Sequence, residues 1–160
     1  MRTSPILFIL IVSLLTLSAC SKAEGQLKVG DAAPDFTLET VTGEKIALSD
    51  VLKEKKVVLD FWASWCPPCV RAISELEEFY SENKDKVEII GINIKESKPK
   101  VASFIRKKGI SYPVVLDSDG KVAGLYNVRS IPTIVAVDKT GEMLYYGHSV
   151  KEMTGKVDFN

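Results

Sequence analysis

The sequence predicts an α/β fold in which a mixed central sheet carries helices on both faces. Three largely apolar runs, residues 57–62, 87–94 and 131–137, indicate buried strands at the core of the sheet. Segments with helical spacing of apolar residues separate these runs, so strands and helices alternate along the chain. With 160 residues and 46% hydrophobic content, the chain has the right size for one domain with a sizeable core.

Before the first of these strands, the pattern predicts a hairpin and a short helix. Apolar and polar residues alternate over 36–39 and 45–47, with turn-forming residues between them. Ser49 or Asp50 is positioned to cap a helix that runs to Lys55. The first buried strand follows directly.

The elements after residue 69 follow from apolar spacing and from helix boundary signals. A long amphipathic helix ends at Asn83 or Lys84, and a basic helix opens at Ser97 and Pro99 and closes at Gly109. The remaining predicted elements are a strand at 113–116, a helix at 120–126, a strand at 143–146 and a short closing helix within 150–159.

The N-terminus is predicted to be an export signal rather than part of the fold. Met1-Arg2 supplies a positive start, and the apolar stretch 6–15 is shorter than the roughly 20 residues that span a membrane. Leu17-Ser18-Ala19-Cys20 resembles the lipobox of bacterial lipoproteins, which implies cleavage before Cys20 and lipid attachment to its thiol. The alternatives are an ordinary signal peptide or an uncleaved anchor in which Cys20 is incidental.

This interpretation divides the chain into a cleaved lipoprotein signal peptide (1–19), a lipidated tether (20–28) and a folded domain (29–160). Of the three cysteines, lipidation of Cys20 leaves Cys66 and Cys69 as the remaining pair. The expected location is the extracytoplasmic face of a bacterial membrane, with the protein held there as a monomer by its lipid. Because 21 basic residues balance 21 acidic ones without a basic block, we expect no nucleic-acid partner.

A Cys66-Pro67-Pro68-Cys69 motif stands where the first buried strand gives way to a helix, which is typical of a redox motif. Proline is tolerated in the first helical turn, because amides there have no intrahelical partner. Cys66 is therefore predicted at the helix N-terminus, where the dipole favours a thiolate. Cys69 follows one turn later, close enough to form a disulfide. The alternatives are a structural disulfide, which would close too short a loop to stabilise much, and a zinc site, to which only His148 could add a ligand.

Asp60 is a charged residue inside an apolar strand, with Val58 and Leu59 before it and Phe61 and Trp62 after it. A carboxylate there is unfavourable unless it is paired or used, and burial would raise the pKa of Asp60 toward neutrality. The alternative is a strand end that exposes Asp60 to water.

Two segments carry a family resemblance. The stretch from Asp60 to Cys69, Asp-Phe-Trp-Ala-Ser-Trp-Cys-Pro-Pro-Cys, resembles the active-site segment of the thioredoxin superfamily. The Gly-Asp-x-Ala-Pro-Asp-Phe-x-Leu segment at 30–38 resembles one shared by peroxiredoxins and by extracytoplasmic thioredoxin-like proteins of the ResA/TlpA type. The hairpin and a helix–strand insertion at about 99–116 also resemble the ResA/TlpA type. The resemblance implies a thioredoxin-like fold.

The resemblance also implies roles for the site residues. Cys66 is expected to be the attacking thiol and Cys69 the resolving one, so that their redox-active disulfide replaces any metal or organic cofactor. Asp60 is expected to sit beneath Cys69 and to relay its proton.

Substrate contacts are implied at two further places. Ile131-Pro132 resembles the superfamily's cis-proline site, whose backbone is expected to bind an extended substrate segment as an added strand. The alternative is an ordinary trans proline at a strand start. Trp65 is expected to shield the thiol and contact partners, whereas His148 is expected on the surface or in packing.

The sequence departs from the ResA type in its proton handling. Ala72 stands where those reductases carry a glutamate, and Asp60 stands where they often carry asparagine. We therefore expect proton transfer closer to that of ordinary thioredoxin. Pro67 and Pro68 lack amide hydrogens, which leaves the Cys66 thiolate chiefly the Cys69 amide and predicts a reducing potential.

Together these features predict an extracytoplasmic thiol-disulfide oxidoreductase that reduces disulfides in exported proteins such as apocytochrome c. Its electrons are expected from a membrane thiol-disulfide transporter. One alternative is a peroxiredoxin-like peroxidase, although neither Cys66 nor Cys69 stands in the Pro-x-x-x-Thr-x-x-Cys setting which that chemistry wants. The other is a copper-handling or assembly module that holds metal through both cysteines without turnover.

Overall fold

The structure, a computed structural model, describes residues 27–159. The strands are β1 (Thr37–Glu39), β2 (Lys45–Ala47), β3 (Lys56–Trp62), β4 (Val87–Ile94), β5 (Val114–Asp117), β6 (Thr133–Val137) and β7 (Met143–Gly147). The helices are α1 (Leu48–Leu52), α2 (Pro67–Asn83), α3 (Lys98–Lys108), α4 (Lys121–Leu125) and α5 (Val150–Lys156). Strands β3 to β7 form one sheet in the order β5-β4-β3-β6-β7, and β1 and β2 form a separate hairpin.

Strand β3 lies at the centre of the sheet and positions the site. It runs parallel to β4, with Asp60 opposite Gly91, and antiparallel to β6. Successive side chains of a strand point to opposite faces, so Trp62 packs in the buried cluster with α2, α3 and α5, and Phe61 packs in the cluster with α1 and α4. The predicted mixed sheet with helices on both faces, a hairpin and a helix–strand insertion is confirmed.

The N-terminal segment covers both edges of the sheet. Thr40, just after β1, forms a bridge to Val115 on the edge strand β5. At the opposite edge the Gly30 amide donates to the Met143 carbonyl at 2.9 Å. Because unpaired sheet edges invite pairing with other chains, this segment protects the fold against edge-to-edge association.

The predicted cap of α1 is wrong. Ser49 and Asp50 lie inside the helix, which ends before Lys55, and the N-cap residue is Ala47, whose side chain makes no capping hydrogen bond. The Asp35 carboxylate instead accepts the amide of Ser49 at 3.0 Å. The first turn of α1 is therefore stabilised by a distant residue that local pattern could not reveal.

The predicted signal peptide, Cys20 and most of the predicted tether lie outside the described residues. Within residues 27–159, no helix is both long enough and apolar enough to cross a membrane. Leu27, at the start of the described chain, packs against the core cluster on the α1 and α4 face of the sheet.

Candidate active site

The two cysteines lie where β3 meets α2. Cys66 is the N-cap residue of α2, with extended backbone angles, and the helix begins at Pro67. Cys66 and Cys69 form a disulfide with their Cα atoms 5.3 Å apart. Both cysteines are buried, Cys69 completely, whereas the neighbouring Trp65 is 67% exposed. The local geometry therefore presents an indole at the surface beside a disulfide at the positive end of a 17-residue helix.

Among residues 27–159, one backbone amide is positioned to stabilise negative charge on Cys66. The Cys69 amide donates to the Cys66 sulfur at 3.3 Å. An N-cap side chain ordinarily accepts from the second or third helical amide, and here the second position is Pro68, which has no amide hydrogen. The prolines thus remove one of the donors that would favour the thiolate.

The predicted cis-proline loop lies against the same sulfur. The Ile131–Pro132 peptide bond is cis, and the Ile131 carbonyl oxygen lies 3.7 Å from the Cys66 sulfur. His148 Nδ1 lies 2.7 Å from the Pro132 carbonyl oxygen, so this nitrogen carries the proton of the hydrogen bond. The exposed His148 therefore ties β7 to the loop beside the disulfide, a contact more specific than the surface or packing role expected for it.

A cleft of about 310 Å³ opens beside Pro68 and Pro132. Ala72 contributes to its wall, together with the charged side chains of Arg71 and Glu75. The position at which ResA-type proteins carry glutamate therefore faces a cleft next to the disulfide. In this chain that position offers a methyl group.

Asp60 is fully buried, on the face of β3 that carries Trp62. Neither of its carboxylate oxygens has a hydrogen-bond partner among the described residues. Burial raises the pKa of Asp60 to about 8, because an unpaired charge in the core is poorly solvated. The alternative of a solvent-exposed strand end is wrong, and the carboxyl can hold a proton at neutral pH.

Glu96 is a site residue that the sequence analysis missed. Its side chain is 4% exposed and accepts hydrogen bonds from the Ser64 amide (2.6 Å), the Ser64 hydroxyl (2.7 Å) and Asn93 Nδ2 (2.9 Å). Lys100 Nζ adds an ion pair at 2.7 Å. Burial acts to raise the pKa of Glu96, but these donors together lower it to about 2. The carboxylate fixes the loop that leads from β3 to Cys66.

A signal for Glu96 was present in the sequence. Polar Asn93 and Glu96 stand at the carboxyl end of the buried strand β4, and functional groups of parallel sheets collect at that end of the strands.

Three features together define the class of this protein: a cysteine pair at the start of a helix, a cis-proline beside that pair and a buried carboxyl in the central strand. This protein is a thiol-disulfide oxidoreductase with a thioredoxin-like fold.

Comparison with known proteins agrees with this class. Residues 29–146 match the model of the AhpC/TSA family, and the chain belongs to that family. Thiol-disulfide oxidoreductase ResA of Bacillus subtilis (strain 168) is 37% identical over 153 residues, which cover 94% of this chain and 82% of the relative.

Solved structures show the same fold. The thioredoxin domain of a thiol-disulfide oxidoreductase from Bacteroides vulgatus has a TM-score of 0.74 at 25% identity and covers 81% of this chain and 94% of that one. A secreted disulfide oxidoreductase of Mycobacterium tuberculosis, described as homologous to DsbE of E. coli, has a TM-score of 0.66 at 27% identity. It covers 76% of this chain and 92% of that one.

Proposed function

We propose that this oxidoreductase works outside the cytoplasm, anchored by a lipid on Cys20, and reduces disulfides in exported proteins. Apocytochrome c is the substrate that best suits the likeness to ResA, and a membrane thiol-disulfide transporter would return the electrons. The extracytoplasmic location is supported by the predicted export signal and by the likeness to a secreted relative. The cysteine pair supplies the redox chemistry without a further cofactor.

The observation that carries the reducing direction is the start of α2. A strongly oxidising thiol-disulfide protein owes its high reduction potential to stabilisation of its reduced, dithiol form. Here the Cys66 sulfur accepts one amide hydrogen bond, from Cys69, because the first two helical residues are prolines. The thiolate is therefore only modestly stabilised, and the dithiol gives up its electrons readily.

The reaction proceeds through a mixed disulfide. The Cys66 thiolate attacks one sulfur of the substrate disulfide, forms a bond to it, and expels the other sulfur as a thiolate that takes a proton from water. The substrate's backbone pairs with Ile131 beside Cys66, as an added strand does. Cys69 then loses its proton, attacks the Cys66 sulfur and expels the second substrate sulfur, which leaves the Cys66–Cys69 disulfide and a reduced substrate.

Asp60 is the proton acceptor in the second half of this cycle. Its carboxyl lies on the sheet face covered by α2, in the surroundings that hold Cys69. A pKa raised to about 8 by burial brings the carboxylate close to the basicity of a thiolate, which is the match that general base catalysis requires.

Trapping of the mixed disulfide tests this assignment. We expect Cys69→Ala, in the full-length protein, to accumulate covalent complexes with exported proteins that dissolve on addition of dithiothreitol. Cys66→Ala is the matched control, and it should trap none, because the attacking sulfur is gone. Equal trapping by both variants, or trapping by Cys66→Ala alone, would overturn the roles given to the two cysteines.

A further inference from the structure

Four buried side chains carry polar atoms that have no hydrogen-bond partner among residues 27–159. They are the Asp60 carboxylate, the Trp62 indole nitrogen Nε1, the Tyr112 hydroxyl and Asn93 Oδ1. Asn93 is already held through its Nδ2, which donates to Glu96, and the other three lie around Gly91. Asp60 and Trp62 have no exposed surface, and Tyr112 is 3% exposed. Buried polar groups in folded proteins are nearly always paired, either with protein atoms or with an internal water.

The three residues lie around Gly91 on one face of the sheet. Asp60 lies opposite Gly91 in the parallel register of β3 and β4, and Trp62 follows two residues later on the same face. A Cβ atom on Gly91 would lie 3.1 Å from Trp62 Nε1 and 3.1 Å from Tyr112 Cε2. The glycine therefore leaves room for the Tyr112 ring and the Trp62 indole on β4, at the residue opposite Asp60.

Tyr112 comes from the helix–strand insertion. It precedes β5, and its ring reaches inward to the cluster that contains Trp62 and Cys69. Burial and the nearby Asp60 and Glu77 carboxylates raise the pKa of the Tyr112 hydroxyl, which therefore stays protonated and able to donate. The insertion thus brings a hydrogen-bond donor to the centre of the sheet.

We propose that Tyr112 is a positioning residue for Asp60 and that one internal water joins the Asp60 carboxylate to the Tyr112 hydroxyl and the Trp62 indole. A buried water makes two to four hydrogen bonds, so a single molecule can accept from both donors and donate to one Asp60 oxygen. When Asp60 is ionised, the two donors stabilise its charge through this water. The inference rests on the proposed role of Asp60 as proton acceptor for Cys69.

In the part of the chain that the structure describes, few other titratable groups lie near this site. Cys69 faces it from α2, and Glu77 of the same helix lies behind Tyr112. The Tyr80 ring packs edge-on against the Tyr112 ring, with the ring centroids 6.1 Å apart. The Tyr80 hydroxyl donates to Glu88 at 2.8 Å. From β4 and β6 the residues opposite Asp60 are Gly91 and Ile134, neither of which titrates.

An infrared titration of the oxidised full-length protein tests the proposal directly. The carbonyl stretch of protonated Asp60, assigned by its loss in Asp60→Asn, reports the midpoint of ionisation. Tyr112→Phe removes one hydroxyl and should raise that midpoint by about one pH unit, because hydrogen bonds to a carboxylate favour its charged form. Tyr80→Phe is the matched control, and its Asp60 should ionise at the wild-type midpoint.

The same variant should slow disulfide exchange at pH 7 by up to about tenfold, and this difference should vanish in an Asp60→Asn background. A Tyr112→Phe protein that keeps the wild-type midpoint would overturn the proposal.

If Tyr112→Phe fails to fold, a crystal structure of the wild type decides. An ordered water within hydrogen-bond distance of all three groups supports the proposal, and a well-ordered core without one overturns it. A shifted midpoint in a protein that reduces no disulfide would leave this inference standing and reject the proposed function instead.

Discussion

Asp60 places a carboxyl group without exposed surface in the middle of the central strand. Burial raises its pKa to about 8, whereas an unfolded chain would titrate near 3.9. Between these values the folded state binds the proton more tightly than the unfolded state, so stability falls as the pH rises from about 4 to about 8. The group thus carries a stability cost at neutral pH, which the proposed role of Asp60 as proton acceptor would explain.

Asp60→Asn should therefore stabilise the oxidised protein at pH 7 by about 3 to 4 kcal/mol, because the amide does not ionise. The gain should be close to zero near pH 4 and should grow with pH up to about 8. Denaturant unfolding at a series of pH values measures it.

Asp138→Asn is a comparison variant, for which the expected change in stability has the opposite sign. Burial acts to raise the pKa of Asp138, but hydrogen bonds from Thr140, Glu142 and Gly141 lower it overall, so its replacement should reduce stability above pH 4. Equal unfolding free energies for Asp60→Asn and the wild type from pH 5 to pH 8 would show that Asp60 is not held in an apolar site.

At the residue scale, the sequence indicated groups whose neighbours along the chain already make them unusual. Asp60 stands inside an apolar run, and Cys66 and Cys69 stand at a strand–helix junction. Glu96 and Tyr112 escaped notice because Ser64, which Glu96 binds, and Gly91, against which Tyr112 packs, are far from them along the chain.

Helix α2 offers a test of how the prolines set the chemistry of Cys66. Pro68→Ala restores the amide at the second helical position, which can donate to an N-cap side chain. We expect this variant to lower the pKa of the Cys66 thiol and to raise the reduction potential by up to roughly 30 mV. The potential is measured by equilibration with glutathione.

Pro67→Ala is the matched substitution one position earlier. If missing amides keep the Cys66–Cys69 pair reducing, Pro67→Ala should also raise the reduction potential. The rise should be smaller, because the first helical amide is less well placed to donate to the Cys66 side chain at the N-cap. Unchanged or more negative potentials in both variants would contradict this explanation.

The loop before Cys66 is the second element with a testable role. Glu96→Gln removes the charge that binds Ser64 and Asn93, and it should lower the free energy of unfolding at pH 7 by about 2 to 3 kcal/mol. Since the pKa of Glu96 is lowered to about 2, its contribution is present above the unfolded pKa of about 4.3 and is lost as the pH falls toward 2.

Glu39→Gln is the surface control for this prediction. Glu39 pairs with Lys98, but both side chains are about half exposed, so the loss should stay below about 1 kcal/mol. A Glu96→Gln protein no less stable than Glu39→Gln at pH 7 would mean that the loop is held by other contacts.

At the element scale, most boundaries could be predicted, because apolar periodicity and helix-ending glycines act locally. Gly109 closes α3 in the left-handed conformation, and β4 spans the predicted residues. The cap of α1 could not be predicted, because Asp35 reaches it from a separate segment.

For the whole molecule, the alternation of strands and helices was enough to predict a mixed sheet with cover on both faces. The way in which the N-terminal segment covers both sheet edges was not predictable. Bridges such as Thr40 to Val115 join residues far apart in the chain, and no local pattern marks them.

The reduction potential of the Cys66–Cys69 pair tests the proposed reductase most directly. The protein is equilibrated with dithiothreitol or glutathione, and the redox state is read from the fluorescence of Trp62 and Trp65. We predict a value near about −270 mV or below, as for thioredoxin. A value near about −120 mV, as for a strong oxidant, would contradict the proposed direction of electron flow.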